Sequence, residues 1–371
     1  MAYVQRQPNG RWRVRYRDPD GVLRSRTFTR KLDAERHAAK VTVDLDAGQW
    51  LDPRRSRMEL ADWAQQWRAT KVDLRPSTLA RLDATLTHHV VPAFGRRELR
   101  SITNADVREW ITRMRADGLS ASSLRKAYFA LSQMLAAAVA DRRLSHNPAE
   151  EVPLPTEHHG DQRFLTAAEV ATLADAIYPR YRAMVLVTVY GGGLRFGECA
   201  ALRRRHVDLL RGRLDVRETL VDVNGELSFG PTKTKRGKRL NPLPRGVVAD
   251  IEEHLDEYVE ADADALLFTS TAGTPLRRAG FRRNWWLPAV AEAGLTPLKF
   301  HELKHTFVAL AIAAGADAKQ VSVRAGHSSV AFTLDRYGHL YDDAEDKVTD
   351  RLEAMFTRAH PAEDGTIRRL R

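Results

Sequence analysis

The chain has 371 residues, of which 43% are hydrophobic, so it is long enough for two or three domains with cores of their own. Lysine and arginine outnumber aspartate and glutamate by 59 to 48, and the resulting formal charge of +11 favours a polyanionic partner, either nucleic acid or an anionic membrane surface. No apolar run approaches the ~20 residues that a membrane span needs, and the first residues lack an apolar signal core, so we expect a cytoplasmic protein with no membrane partner.

An alternating segment near the N-terminus predicts a small three-stranded β-sheet, because the turn signals Asn9-Gly10 and Asp18-Pro-Asp-Gly21 bracket it. Side chains alternate along a strand, so one face of the middle strand is apolar and packs: Trp12, Val14 and Tyr16. The opposite face carries four cations: Arg11, Arg13, Arg15 and Arg17. A helix follows, with an apolar stripe that can cover the packed face: Ala34, Ala38, Val41 and Leu45.

The cationic face of this sheet has two interpretations, a solvated arginine surface or a DNA contact. We favour DNA binding by Arg11, Arg13, Arg15 and Arg17, because residues 1–50 hold 11 lysines and arginines against 6 acidic residues. A small sheet can also lie in a major groove, where such side chains would meet phosphates or base edges.

A proline and arginine patch at residues 52–55 indicates a linker, after which the patterns are helical as far as residue 145. Pro76 opens the second helix and Asn104 caps the third. Four helices are predicted: 58–69, 76–91, 104–117 and 120–141. The last helix has an apolar set that predicts a packed face: Leu124, Phe129, Leu131, Leu135 and Val139.

From residue 160 the pattern becomes mixed, and Thr166 with Glu169 forms a capping box at the start of a helical run. An apolar helix over 181–190 ends in three glycines, and residues 213–244 predict strands that carry a basic turn, Lys233–Arg239. Helices resume after about residue 246 and continue to about 357. The fold class is therefore mainly α with small β-sheets. We expect four parts: 1–52, 57–152, 160–357 and a basic tail, 358–371.

A zinc site is the first chemistry to weigh, because His301-Glu-Leu-Lys-His305 fits the pattern in which two histidines one helical turn apart bind zinc. A third ligand is needed, and Glu345 is only a distant candidate. Pro297 places the histidines near a helix start, whereas such sites lie well inside a helix. The single cysteine, Cys199, excludes a disulfide within the chain and a zinc cluster of cysteines, and we interpret it as a buried thiol rather than a nucleophile.

Four segments in a fixed order point to another chemistry. They are Gly193-Leu-Arg-Phe-Gly-Glu198, the basic hairpin around Lys233, His301-Glu-Leu-Lys-His-Thr-Phe307, and Gly326-His-Ser-Ser with Tyr337 ten residues after His327. Together they resemble the catalytic domain of the tyrosine recombinases, the phage integrase family, over roughly residues 160–345. The two upstream units look like that family's arm-binding and core-binding domains.

The resemblance implies a role for each residue, and the chemistry agrees with it. Attack on a phosphodiester concentrates negative charge on the non-bridging oxygens, which fixed cations and hydrogen-bond donors must meet. The residues with that role are Arg195, His301, Lys304 and His327. Glu198 would brace the site, Lys233 would protonate the departing 5′ oxygen, and Tyr337 would be the nucleophile that forms a 3′-phosphotyrosyl link. Such a reaction needs no metal, ATP or other cofactor.

Lys304 departs from the family pattern, which usually has a second catalytic arginine at this position. Lysine keeps the positive charge but loses the planar fork that can bind two phosphate oxygens at once. We therefore expect one weaker or longer oxyanion contact at Lys304, while the reaction is retained.

These observations predict a site-specific recombinase that integrates, and on the reverse reaction excises, phage or mobile-element DNA. Its partners are expected to be double-stranded DNA attachment sites and further copies of the chain, in a tetramer on DNA. A directionality factor and a DNA-bending protein are accessory partners compatible with this reaction. Two alternatives stay open: a noncatalytic DNA-binding protein derived from a recombinase, and a type IB topoisomerase activity that uses the same chemistry.

Overall fold

The computed structural model describes residues 2–48, 50–52, 54–157, 162–232, 235–341 and 344–359, and for residues 235 and 344–348 it describes the backbone alone. The chain forms two compact units, one within residues 1–159 and the other within residues 160–371. Within the described ranges, no helix has both the length and the apolar character needed to cross a membrane.

A three-stranded antiparallel sheet covered by a helix opens the first unit, as predicted. Its elements are β1 (Tyr3–Arg6), β2 (Trp12–Arg17), β3 (Leu23–Phe28) and α1 (Lys31–Asp46). Val14 and Tyr16 are buried under the helix side chains Ala34, Ala38 and Val41. On the other face Arg13 and Arg15 are half-buried, and Arg11 and Arg17 are exposed.

The rest of the first unit is helical, with its own apolar core. Its helices are α2 (Leu60–Ala69), α3 (Pro76–Thr85), α4 (Val91–Phe94), α5 (Asn104–Ala116) and α6 (Ala121–Ala140). The chain stays helical from Pro76 to Phe94, and one wider turn, Leu86–Val90, lies between α3 and α4, so the predicted helix over 76–91 is present and contains this turn.

Two predictions for this helical part were wrong. Thr103, not Asn104, caps α5, because the Thr103 hydroxyl accepts from the Asp106 N–H in a capping box. The Asn104 amide instead donates to the carbonyls of Pro148 and Glu150, at 3.2 and 2.9 Å, and so ties α5 to the segment after α6.

Phe129 does not pack in the core, as it is 46% exposed. A helix turns about 100° per residue, so Phe129 points about 140° away from Leu124, which is fully buried. The Phe129 ring lies against Tyr128 and the Arg125 guanidinium on the outer surface.

The second unit is mainly helical with two small antiparallel sheets. Its strands are β4 (Val207–Asp208), β5 (Arg213–Val216), β6 (Glu218–Val223), β7 (Glu226–Pro231) and β8 (Arg239–Pro242). Its helices are α7 (Ala167–Ala176), α8 (Arg182–Tyr190), α9 (Phe196–Ala200), α10 (Arg245–Tyr258), α11 (Arg278–Phe281), α12 (Leu287–Glu292), α13 (Glu302–Ala313), α14 (Ala318–Ala325), α15 (Val330–Tyr337) and α16 (Ala344–Ala359). The mainly α fold class is confirmed, with 55% of the described structure helical.

The basic segment was predicted as the turn of a hairpin, and the sheet pairing corrects this. β7 pairs with β6, whereas β8 pairs with β5. The segment after Pro231 therefore connects two different sheets, and it does not close a hairpin between paired strands.

The apolar helix α8 is buried in the second unit's core along most of its length, and the chain then passes through three glycines. Gly192 has a φ of 106°, and a Cβ atom there would collide with the Asn241 side-chain amide, so only glycine fits. The Asn241 amide on β8 donates to the Gly191 carbonyl at 2.7 Å and to the Arg324 carbonyl at 3.0 Å. These bonds hold α8, β8 and α14 together beside the residues that follow the glycines.

Candidate active site

Arg195 and Glu198 form the first part of the site, at the start of α9. Arg195 is the residue before the helix, and Glu198 lies in its first turn, so the Glu198 carboxylate accepts from the Arg195 backbone N–H at 3.0 Å and from Arg195 Nη1 at 2.8 Å. Glu198 is 2% exposed, whereas the Arg195 side chain is 33% exposed. The carboxylate therefore fixes a guanidinium that still reaches the surface.

Arg239 is a site residue that the sequence reasoning missed. It lies on β8 with a side chain only 3% exposed, and Nη2 donates to Glu198 Oε2 at 2.9 Å. Burial alone would raise the pKa of the Glu198 carboxyl, but Arg239, Arg195 and Lys304 outweigh it and hold that pKa at about 2. Glu198 is thus ionised between two guanidinium groups.

Lys304 lies in the first turn of α13 and is 4% exposed. Its ammonium donates to the Gly193 carbonyl at 2.9 Å and to the Ala325 carbonyl at 2.5 Å. Burial, together with Arg239 and Arg195, lowers the pKa of Lys304 well below its usual value. The side chain therefore joins the segment before Arg195 to the segment before His327.

His327 follows a left-handed glycine, Gly326 with φ 63°, that ends α14. Its Nδ1 lies 2.8 Å from the Thr333 hydroxyl. Burial, then the positive charges of Lys304 and Arg195, lowers the pKa of His327 to about 3, so the ring is neutral. When the Thr333 hydroxyl donates to Nδ1, the ring proton is on Nε2, which has no hydrogen-bond partner among the described residues.

Tyr337 ends α15 and is 1% exposed. Its hydroxyl lies 2.5 Å from His305 Nδ1, and its ring is parallel to that of His327 with 6.1 Å between the centroids. Burial raises the pKa of Tyr337 to about 12, against the opposing effect of the Arg336 guanidinium. His305 was not predicted to contact the tyrosine, although its spacing of four from His301 places both on one helix face.

His301 lies just before α13 and is exposed. Its ring is nearly perpendicular to the His305 ring, and the two ring centroids are 5.1 Å apart. Partial desolvation, then Lys304 and Arg195, lowers the pKa of His301 to about 4. The position at a helix start agrees with the reasoning from Pro297. In the part of the chain that the structure describes, no three His, Cys, Asp or Glu side chains are grouped so that they could hold a metal ion.

The structure therefore brings together most of the predicted site residues in the second unit: Arg195, Glu198, His301, Lys304, His327 and Tyr337. Lys233 lies outside the described residues. The cations Arg11, Arg13, Arg15 and Arg17 belong to the first unit. Cys199 is fully buried, and burial raises the pKa of its thiol to about 12, as expected of an unreactive thiol.

Family comparisons agree with this arrangement. Residues 163–344 match the phage integrase family, residues 3–60 match the phage integrase N-terminal domain, and residues 59–115 match the phage integrase N-terminal SAM-like domain. The integrase of Mycobacterium phage D29 is 29% identical over 341 residues, which cover 88% of this chain and 89% of that protein.

Solved structures share the fold. The Tn1549 transposon integrase, in complex with a circular intermediate DNA, superposes with a TM-score of 0.66 at 20% identity and covers 80% of this chain and 99% of its own. A lambda integrase dimer bound to a COC′ core site has a TM-score of 0.61 at 17% identity, with 99% of this chain and 97% of that chain covered.

The fold and the site define a tyrosine recombinase, an enzyme that breaks and rejoins DNA strands. The chain belongs to the phage integrase family.

Proposed function

We propose that this enzyme integrates and excises phage or mobile-element DNA through a 3′-phosphotyrosyl link formed by Tyr337. The observation that carries the proposal is the position of the Tyr337 hydroxyl, which is held by His305 in the same cluster as Lys304 and His327. A covalent intermediate conserves the energy of the cleaved bond, so the strand can be rejoined without ATP.

The groups around Tyr337 stabilise the transition state of its attack on the phosphodiester. Arg195 offers a guanidinium fork to the non-bridging oxygens, and Glu198 holds that fork in place. His301 and the unpartnered Nε2 of His327 supply further hydrogen bonds. Loss of one such donor from a preorganised site typically costs about 3–4 kcal/mol of activation free energy.

Lys304 contributes charge from a fixed position. An ammonium has three donors, and two of them are used on the Gly193 and Ala325 carbonyls, which leaves one for a phosphate oxygen. A bound phosphodiester adds a negative charge that favours the protonated amine. In this way Lys304 takes the place of the family's second arginine with a single contact and no fork.

Lys233 is proposed as the general acid for the departing 5′ oxygen. The resemblance to the family supports this role, as does its position between β7 and β8, on the segment that leads to the buried Arg239. Proton donation to a leaving alkoxide typically contributes a factor of roughly 10²–10⁴ to the rate.

We further propose that residues 1–52 bind arm-type sites, that residues 57–152 and 160–357 bind the core site, and that residues 358–371 form a basic tail. The separate apolar cores of the N-terminal sheet and of the helical part support the first boundary. Strand exchange between two duplexes calls for four active sites, so the working form is a tetramer on DNA. The solved tetramer of lambda integrase on a Holliday junction is a structural neighbour. A directionality factor and a bending protein would act on the same DNA in the cytoplasm.

A suicide substrate tests the proposal. A nicked duplex from the element's own attachment site loses a short fragment after cleavage, so the protein should accumulate as a covalent, protease-sensitive adduct without ATP or divalent metal. Tyr337→Phe should abolish the adduct and leave DNA binding nearly unchanged. Tyr341→Phe is the matched control, since Tyr341 lies in the same apolar cluster, and it should still form the adduct.

The alternative of a noncatalytic DNA-binding protein is decided by the same experiment. Specific binding to a verified site without any adduct from the wild-type protein would establish the alternative and refute the proposal. Relaxation of supercoiled DNA without exchange of partners would indicate topoisomerase activity.

A further inference from the structure

We propose that His305 is the general base for cleavage, and that its Nδ1 takes the phenolic proton as Tyr337 attacks the scissile phosphate. The inference rests on the proposed function and adds a catalytic residue to it. Neither the order of the motifs nor their spacing assigns a reaction step to His305.

The hydrogen bond between the two side chains is the first observation. His305 lies on α13 and Tyr337 on α15, and Nδ1 and the hydroxyl oxygen are 2.5 Å apart. The other histidines are placed differently. His327 uses its Nδ1 on Thr333, and His301 lies at the exposed start of α13 with its ring against the edge of His305. His305 is thus the histidine in direct contact with the reacting oxygen among the described residues.

Gln162 identifies which partner donates. With its amide turned to satisfy both neighbours, Gln162 donates to His305 Nδ1 at 3.3 Å and accepts from Arg336 Nε at 2.9 Å. An amide N–H can only donate, so Nδ1 carries a lone pair. The proton of the short hydrogen bond therefore belongs to Tyr337. Nδ1 has one lone pair, which the closer Tyr337 hydroxyl at 2.5 Å occupies, while the Gln162 contact at 3.3 Å is the weaker of the two donors that share it.

The charged surroundings keep the proton on the tyrosine until DNA binds. Among the described residues, the ionisable groups around His305 are His301 at the start of α13, Lys304 on the same helix, Arg336 and Tyr337 on α15, and His327. Burial first, then His301, Arg336 and Lys304, lowers the pKa of His305 to about 4. A phosphodiester bound at Arg195 and Lys304 offsets these positive charges, so that the basicity of His305 rises when substrate is in place.

The step balances without another reactant. The Tyr337 oxygen forms a bond to phosphorus while the bond from phosphorus to the 5′ oxygen breaks. The phenolic proton passes to His305 Nδ1, and the 5′ oxygen takes a proton from its general acid, which we propose to be Lys233. Rejoining runs in reverse, because the His305 imidazolium returns its proton to the departing tyrosine oxygen.

His305→Asn separates a base from a hydrogen-bond partner, since an amide can hold the tyrosine hydroxyl but cannot take its proton. In single-turnover cleavage of the suicide substrate, His305→Asn should be roughly 10²–10⁴-fold slower than wild type with DNA binding retained. Its rate should also rise steeply with pH, because hydroxide must then remove the proton. His339→Asn is the matched control, since this nearby histidine is exposed, and its rate should equal that of wild type.

A substrate with sulfur in place of the 5′ bridging oxygen tells the base from the acid. A thiolate leaves without protonation, so this substrate should restore cleavage by Lys233→Ala and leave His305→Asn slow. Restoration of His305→Asn would instead place His305 on the leaving-group side and overturn the proposal, as would a rate within threefold of wild type on the ordinary substrate.

Wild type provides a test that is independent of the folding of any variant. The leaving thiolate of the sulfur substrate needs no proton, so the transfer from Tyr337 to His305 is the one proton transfer left in the cleavage step. Cleavage of this substrate should therefore be slower in heavy water. No solvent isotope effect in that chemical step would overturn the proposal. Failure of wild type to form any adduct would overturn the proposed function itself, which is a different outcome from a fully active His305→Asn.

Discussion

The buried pair of Arg239 and Glu198 gives a prediction about stability with a magnitude. The two side chains are 3% and 2% exposed and 2.9 Å apart. The pKa of Glu198 falls from an ordinary 4.5 to about 2, and at 1.36 kcal/mol per unit this corresponds to about 3 kcal/mol of stability at neutral pH. Glu198→Gln leaves the Arg239 charge buried without its counter-charge, for which losses of roughly 3–5 kcal/mol are typical.

The sign of the pH dependence follows from the lowered pKa. The stability contributed by Glu198 is present above its unfolded pKa of 4.5 and is lost as pH falls towards about 2. The stability of wild type should therefore fall more steeply over this interval than that of Glu198→Gln, which has no carboxyl to protonate at that position.

Urea unfolding of the full chain, monitored by hydrogen exchange of the amides in α9 and β8, measures both the stability lost in Glu198→Gln and the pH dependence of that loss. The double variant Glu198→Gln with Arg239→Met should recover much of the loss, because it removes the stranded charge. Glu218→Gln is the matched control in the same unit. Its contacts with Arg203 and Arg205 are 3.9 and 3.7 Å long and partly exposed, so it should cost under ~1 kcal/mol.

A loss of stability in Glu198→Gln no larger than that in Glu218→Gln would contradict a stabilising role of the Arg239–Glu198 ion pair. A parallel loss of stability in wild type and Glu198→Gln between pH 4.5 and 2, the interval set by the Glu198 pKa values, would contradict it as well.

Three further predictions concern cleavage and DNA binding. Lys304→Arg should retain or raise the rate of single-turnover cleavage, whereas Lys304→Met should lower the cleavage rate far more than the affinity for DNA. The reason is that charge developing in the transition state affects the rate more than it affects ground-state binding. Equal losses in rate and affinity would contradict this prediction. Deletion of residues 1–50 should spare core-site binding and abolish arm-site binding in footprints. The double variant Arg13→Gln with Arg15→Gln should reduce the slope of log affinity against log salt concentration at arm sites by up to ~1.8, which is about 0.9 for each phosphate that is no longer neutralised. An unchanged slope would show that these arginines face solvent.

Local patterns were enough to predict several elements, whereas the candidate site residues were predicted from four motifs that occur in one order. Period-two alternation at Val14 and Tyr16 predicted the packed face of β2, and the pairing of Thr166 with Glu169 predicted the start of α7. Tyr337 was predicted because several motifs occur together in one order, and the structure places its side chain beside His327.

The contacts that depend on distant segments were not predictable. Arg239 belongs to a basic run that looks solvated, and its partner Glu198 lies 41 residues earlier in the chain. The sequence identified Lys304 as unusual but could not indicate that its ammonium binds the carbonyls of Gly193 and Ala325. Asn104 is a good capping residue by type, yet tertiary contacts with the chain after α6 use its amide.

The linkage itself is the most direct test of the account. Trypsin would release residues 337–347 from a trapped adduct, a peptide that contains both Tyr337 and Tyr341 and ends at Lys347. Fragmentation of this peptide in a mass spectrometer should place a 3′-phosphonucleotide on Tyr337, with Tyr341 unmodified. A nucleotide on Tyr341 or on another residue, or specific DNA binding with no modified peptide, would contradict the assignment of Tyr337 as the nucleophile.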